Sequence, residues 1–274
     1  EWLDVNSKPV SKFVTGELYT LNITLTPAAG YKFNVESAKI GTRNATITTK
    51  PADGSKVVIT YKYWINPFKD VNEYDVEPSI NYPDGIPYRY YVYIKYCYIN
   101  QLLYGTSATT FAPQTTLTRG MYVTILGRLA GLNKDMYDPQ KSEVNLKKLS
   151  KFKDVDPKSY YAPYVVWAVE NGITIGKSDT TFEPNTPVTR EEMCVFLRRY
   201  ARYANIPLGY IERAIGFTDG SKVSSWAQEA VSIFEQAGVA VSRPNSLGYD
   251  PKEYAQRQEV AEIVILFMMK YMNG

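Results

Sequence analysis

The stretch FKDVDPKSYYAPYVVWAVENGITIGKSDTTFEPNTPVTREE, residues 152–192, decides the fold. It opens on Phe152-Lys153-Asp154-Val155 and passes through a segment of helical pattern, Tyr161 to Asn171, into Gly172-Ile173-Thr174-Ile175-Gly176. A polar turn, Lys177 to Thr181, leads to Phe182-Glu183-Pro184, and a second helix is predicted from Val188-Thr189-Arg190-Glu191-Glu192. Thr189 and Glu192 have the spacing of a capping box, in which each side chain bonds the other residue's backbone N–H. Beyond them Met193, Phe196, Leu197, Tyr200 and Ala201 recur as one apolar helix face, with Arg198, Arg199 and Arg202 turned away.

The same unit occurs three times. Its turn recurs as Phe111-Ala112-Pro113 with Arg119 and as Tyr249-Asp250-Pro251 with Arg257, the proline always six positions before the arginine. Its opening recurs as Phe68-Lys69-Asp70 and Phe217-Thr218-Asp219, and its apolar stripe as Val260, Ile263, Val264, Phe267 and Met268. One two-helix unit cannot bury such a stripe alone, so the copies are expected to pack on one another.

On these residues the chain resembles a run of three S-layer homology (SLH) domains, over about residues 68–274. The family pattern is F-x-D-V, a helix ending in G-I-x-x-G, an F-x-P turn and I-T-R-A-E. The second copy follows it nearly throughout. The first has Gln101 in place of the first glycine and Gly120 in place of alanine; the third has Ser242 for the second glycine, a longer loop and Gln256 for threonine. The resemblance implies second helices packed about a pseudo-threefold axis. It also implies a non-catalytic role: anchoring a secreted protein to the bacterial cell wall by binding secondary cell-wall polysaccharide, often through a pyruvylated, carboxylate-bearing sugar, in grooves between repeats. On that pattern Arg119, Arg190 and Arg257 meet the carboxylate, and the backbone at Gly105 and Gly176 donates to it. Asp70, Asp154 and Asp219 accept from sugar hydroxyls, and an aromatic such as Trp226 or Tyr160 covers the sugar face. The departures in the first and third copies imply unequal grooves.

Read from the residues alone, the arginines admit two roles. Each falls in the first turn of a predicted helix, where the positive end of the helix dipole disfavours a cation. A guanidinium beside unpaired helix N–H groups makes a bidentate carboxylate receptor. Alternatively, each arginine pairs with Asp70, Asp154 or Asp219 and locks its repeat. The resemblance favours ligand binding for Arg190, so that Arg190→Ala is expected to lower affinity and leave stability unchanged.

Residues 1–66 read differently. The runs 17–25 and 56–63 concentrate β-branched and aromatic residues between turn signals at Ala29-Gly30 and Asp53-Gly54. They suggest a small β-sandwich, and Phe13, Gly16, Tyr19, Pro27, Gly30-Tyr31 and Phe33 resemble the Ig-like modules of Gram-positive surface proteins; a spacer role is expected. Asn66-Pro67 marks the boundary. The expected fold is therefore α+β and multidomain: a β module over 1–66, then repeats at 67–131, 152–204 and 216–274. A proline-containing loop, Asn72 to Tyr88, and a lysine-rich connector, Asn133 to Ser150, interrupt the series; Lys141, Lys147, Lys148, Lys151 and Lys153 make a modest basic run. The aromatic tract Tyr88–Tyr98 is expected to be docked against the β module or the repeats, because aromatic area favours burial.

The rest is exclusion. With 31 Lys and Arg against 28 Asp and Glu, the net charge of +3 does not argue for nucleic acid. No apolar run reaches the length of a membrane helix, so no membrane insertion is expected. The chain starts at Glu1 and reads as a mature or excised piece of something longer. Histidine is absent, which removes Ser-His and Cys-His systems and His-ligated metals, and no cofactor is expected. Cys97 and Cys194 read as small core residues. A glycan-cleaving enzyme needs a facing carboxylate pair, and the adjacent Glu191 and Glu192 point apart on a helix. The competing reading from another class is an assembly module that packs against surface-layer subunits without binding glycan.

Overall fold

The computed structural model describes residues 1–33, 35, 37–40, 43–49, 51, 53–76, 86–132, 151–209, 214–244 and 246–272. The connector 133–150 and the tip of the 72–88 loop, including Pro78, Pro83 and Asp84-Gly85, lie outside them. The architecture is α+β, an N-terminal antiparallel sheet followed by helices, and the chain divides into two compact units. One comprises Glu1–Ile99 with Gly105–Phe111, the other Asn100–Tyr104 with Ala112–Gly274.

In the first unit, strands β1 (Trp2–Leu3), β2 (Leu18–Leu25), β3 (Ala38–Ile40), β4 (Arg43–Thr49) and β5 (Val57–Trp64) form one sheet in the order β1-β2-β5-β4-β3. The two long runs read from the sequence are the central pair: β2 and β5 are antiparallel from Leu18↔Trp64 to Leu25↔Val57. The described strands of residues 1–66 form one five-stranded sheet where a two-sheet sandwich was expected. Val57 is buried at one end of the central pair and Tyr19 and Trp64 at the other, where the Trp64 indole N–H donates to the Gly16 carbonyl at 3.1 Å. Helix α1 (Tyr91–Ile99) packs there, with Tyr91 and Tyr98 of the aromatic tract against Trp64 at ring separations of 5.8 and 5.9 Å. Ile94 and Cys97 are buried on its inner side, while Val92 and Tyr96 face solvent. A short ribbon pairs β6 (Tyr74–Val76) with β7 (Ile86–Pro87).

The second unit holds α2 (Arg119–Leu129), α3 (Ala162–Glu170), α4 (Arg190–Tyr203), α5 (Gln228–Gln236) and α6 (Arg257–Tyr271). The second helices of the motif, α2, α4 and α6, carry the core. Tyr122 of α2 donates to the Met193 carbonyl of α4 at 3.0 Å and stacks on Phe196, and Tyr200 of α4 meets Phe267 of α6. The stripe Met193, Phe196, Leu197, Tyr200 and Ala201 is buried throughout, as are Val260, Ile263, Val264 and Phe267. Cys97 and Cys194 are both free and buried; burial pushes the Cys194 thiol up to about 12, and its sulfur meets the Tyr249 hydroxyl at 2.9 Å.

The helix starts close on one another in a ring. Leu117 N–H donates to the Ala255 carbonyl, Ala255 N–H to Val188, and Val188 N–H to Leu117, at 2.9, 2.9 and 3.0 Å. The turn-to-helix segments of all three motif copies are thereby joined in a closed cycle.

Candidate functional site at the repeat junctions

Each copy of the turn is built the same way. The residue between the aromatic and the proline is left-handed in all three: Ala112, Glu183 and Asp250 have φ of 56°, 59° and 56°. That conformation costs a non-glycine residue roughly 1–2 kcal/mol and needs local support. The opening aspartate provides it. Asp154 accepts from the N–H groups of Phe182 (3.0 Å) and Glu183 (2.6 Å), and Asp219 from those of Tyr249 (2.6 Å) and Asp250 (2.8 Å). Asp70 likewise accepts from Phe111 N–H at 2.8 Å. These carboxylates clamp the turns.

The loop glycines answer to the opening phenylalanine. Gly176 has φ +90°, and an added Cβ would lie 2.7 Å from Phe152 and 2.8 Å from the Thr181 carbonyl. At Gly105 a Cβ would lie 2.5 Å from both Phe68 and the Ser107 carbonyl. Close packing within the repeat thus accounts for both glycines.

The arginines cross to the next repeat. Arg119 donates from Nε to the Phe182 carbonyl at 3.0 Å and from Nη1 to Glu192 at 3.2 Å, its guanidinium lying over the rings of Phe182 and Phe196. Arg190 donates from Nε to the Tyr249 carbonyl (2.6 Å), from Nη2 to the Val241 carbonyl (2.7 Å) and from Nη1 to Glu259 (2.7 Å), and lies over the Tyr249 ring. Arg257 donates to the Tyr104 carbonyl at 2.6 Å. The three are 2, 3 and 4 % exposed. The helix N–H groups expected to be unpaired are also taken by the neighbour. Arg119 and Gly120 donate to Thr186 and Pro184, Arg190 and Glu191 to Glu253 and Pro251, and Arg257 and Gln258 to Thr115 and Pro113.

This corrects the expectation for Arg190. A buried cation with three backbone or carboxylate acceptors is part of the packing, so its removal is a stability event. For Arg119 and Arg190 the ion-pair partners are Glu192 and Glu259, two positions after the arginine in the following copy, where the opening aspartates were the alternative expected. The Thr189–Glu192 capping box forms as read, and the same carboxylate carries Arg119 and Lys177. Burial raises the Glu192 pKa, but the bonds from Lys177 and Thr189 N–H and the charge of Arg119 outweigh it, and the net shift is below the usual value. Glu259 accepts in addition from Arg243 Nε at 2.7 Å and from Gln256 N–H at 2.8 Å. Glu191, adjacent to Glu192, turns elsewhere, to Ser224 N–H, Ser224 hydroxyl and Lys252. Sequence reasoning missed Glu192 and Glu259 as cross-repeat acceptors; the recurrence of Arg-x-Glu at 190–192 and 257–259 is the signal that could have found them, and Met121 breaks it in the first copy.

Tyr160 and Trp226 differ from the three buried arginines in being open. They precede α3 and α5 at corresponding positions and are 56 and 57 % exposed. Burial raises the Tyr160 pKa while the charges of Arg128 and Arg257 pull it down, which sets this ring in the electrostatic reach of two arginines. Arg128 in turn lies over the Tyr104 ring at 4.8 Å and donates to the Leu102 carbonyl at 3.1 Å. The described residues contain no metal-holding cluster of His, Cys, Asp and Glu, and no helix among them is long and apolar enough to cross a membrane.

Comparison with known proteins then gives the family of the central copy: the S-layer homology domain model matches residues 151–194. Residues 151–194 are an S-layer homology domain. The chain is 30 % identical over 179 residues to an endoglucanase of Bacillus sp. (strain KSM-635), covering 65 % of this chain and 17 % of the relative. It is 28 % identical over 173 residues to an amylopullulanase of Thermoanaerobacterium thermosulfurigenes, covering 62 % of this chain and 8 % of that protein. An exoglucanase XynX of Acetivibrio thermocellus is 27 % identical over 173 residues, covering 62 % of this chain and 14 % of the relative. The chain thus spans less than a fifth of the length of each of these relatives. The SLH domain carries a general association with cell-wall binding and places the chain with secreted proteins of the Gram-positive cell surface or cell wall.

Proposed function

We propose that this chain is a non-catalytic anchor that holds a secreted protein to the cell wall by binding secondary cell-wall polysaccharide through a triplet of SLH domains, residues 67–131, 152–204 and 216–274. One observation carries the reading. The aspartate clamp, the left-handed turn residue and the crossing arginine of the matched domain recur in the copies before and after it, and the three are joined in a closed hydrogen-bonded ring. The polymer is an anionic, pyruvylated glycan lying in the grooves between repeats. Trp226 and Tyr160 offer open aromatic faces for its sugars. Arg119, Arg190 and Arg257, Asp70, Asp154 and Asp219, and the loops of Gly105 and Gly176 build the groove walls, the arginines as positioning residues. The N-terminal sheet is a spacer. Sedimentation with purified wall sacculi tests the proposal: the chain is expected in the pellet, and in the supernatant once the wall polysaccharide has been extracted. Pelleting that survives extraction would instead favour an assembly module without glycan binding.

A further inference from the structure

The C-terminal half of α4 borders a pocket of about 670 Å³ whose walls include Arg198, Arg199, Arg202 and Tyr203, Asn171 at the end of α3, and Glu229 on α5. Spacings of three and four residues place the three guanidinium groups and the Tyr203 ring on one continuous helix surface. Glu229 is the one carboxylate among the described lining residues, and it pairs with Arg198. Neither the Arg199 nor the Arg202 guanidinium makes a hydrogen bond or ion pair with another described residue. Arg199 is nevertheless half-buried, and its pKa is lowered first by burial and then by the charge of Arg198.

At the C-terminal end of α3 one carbonyl is already doubly bonded. The Trp167 carbonyl there accepts from both the backbone (3.0 Å) and the side-chain (2.8 Å) N–H of Asn171. The donors of the Arg199 and Arg202 guanidinium groups line the pocket with no described acceptor. Attraction to the C-terminal end of the α4 dipole explains Arg202 in the last turn. It does not explain a half-buried Arg199 pressed against a second cation.

We propose that this pocket is an anion-binding site, distinct from the junction arginines, that takes a phosphate or carboxylate group of a larger ligand on the planar forks of Arg199 and Arg202. Tyr203, set edge-on to Trp167 at 5.3 Å, supplies an apolar wall for the body of that ligand. The inference stands whether or not the chain binds wall polysaccharide.

Titration of the full chain with inorganic phosphate and, separately, with glucuronate, at constant ionic strength and with glucose as the neutral control, tests it. Saturable binding of at least one anion is expected, with no response to glucose; the tighter of the two identifies the ligand as phosphate- or carboxylate-bearing. The double variant Arg199→Gln/Arg202→Gln should bind at least tenfold more weakly, and Glu229→Gln should bind more tightly. If the double variant fails to fold, Arg202→Gln alone, at an exposed position, should still show weaker binding. A response no larger than that to matched chloride, equal binding of glucose, or binding unchanged in the arginine variants would overturn the proposal.

Discussion

The two junction arginines whose acceptors are fully in view do the same task with unequal means. Arg119 has one carbonyl and a glutamate at 3.2 Å, and sits between two phenylalanine rings. Arg190 has two carbonyls and a glutamate, all at 2.7 Å or less, and packs on a tyrosine whose hydroxyl donates back to the Arg190 carbonyl at 2.9 Å. The first junction relies more on apolar and cation–π contact, the second on directed hydrogen bonds. The difference teaches that a motif arginine can be retained for closure of the ring of repeats, with its local partners free to vary.

The largest expected effect follows from the better-bonded site. Arg190→Ala leaves Glu259 and two carbonyls facing an emptied, buried space, and should cost about 3–5 kcal/mol in chemical denaturation. Arg119→Ala should cost less, about 2–3 kcal/mol, since its charged hydrogen bond is longer and it gives up one carbonyl bond where Arg190 gives up two. Equal losses, or the reverse order, would break the comparison.

Acid sharpens it at the first junction. The Glu192 pKa is lowered in the folded state relative to 4.5, so its contribution to stability is complete above that value and disappears as the pH falls through the lowered one. Glu192→Gln should therefore be less stable than the parent at pH 7, and the gap should close on acidification below about pH 4.5. A gap independent of pH would mean that shape, not charge, is what Glu192 contributes. The outer cations have the smallest effects. Arg243→Ala and Lys177→Ala, both partly exposed, should each cost no more than about 1 kcal/mol, with Arg243 the larger because its bonds reach the deeply buried Glu259.

What the sequence made legible and what it hid divide by range. The capping box at Thr189, the apolar stripe of α4 and the β2–β5 runs are local patterns, and the structure places them within a residue or two of where they were read. The acceptors of Arg119 and Arg190 lie 51–73 residues away, in the next copy of the motif, and no local period encodes them. Reading Arg190 as a free receptor went wrong because the helix N–H groups beside it were counted as open, whereas the neighbouring turn covers them. The single sheet escaped notice for a similar reason: strand runs reveal pairing partners, not whether a second sheet faces them. Tyr160 and Trp226 were named from their slots in the motif, and their exposure is the one property that separates them from the buried aromatics around them.

Trp226 and Tyr160 therefore bear the most direct test of the anchoring account. Each should be replaced by alanine and the variant titrated with a purified wall-polymer fragment, its thermal midpoint being recorded alongside. The account predicts a midpoint within about 2 °C of the parent, as for other exposed positions, and a drop in affinity of about tenfold or more, the range for truncating an aromatic anchor. Fragment affinity that is unchanged in both variants, with the fold intact, would contradict it.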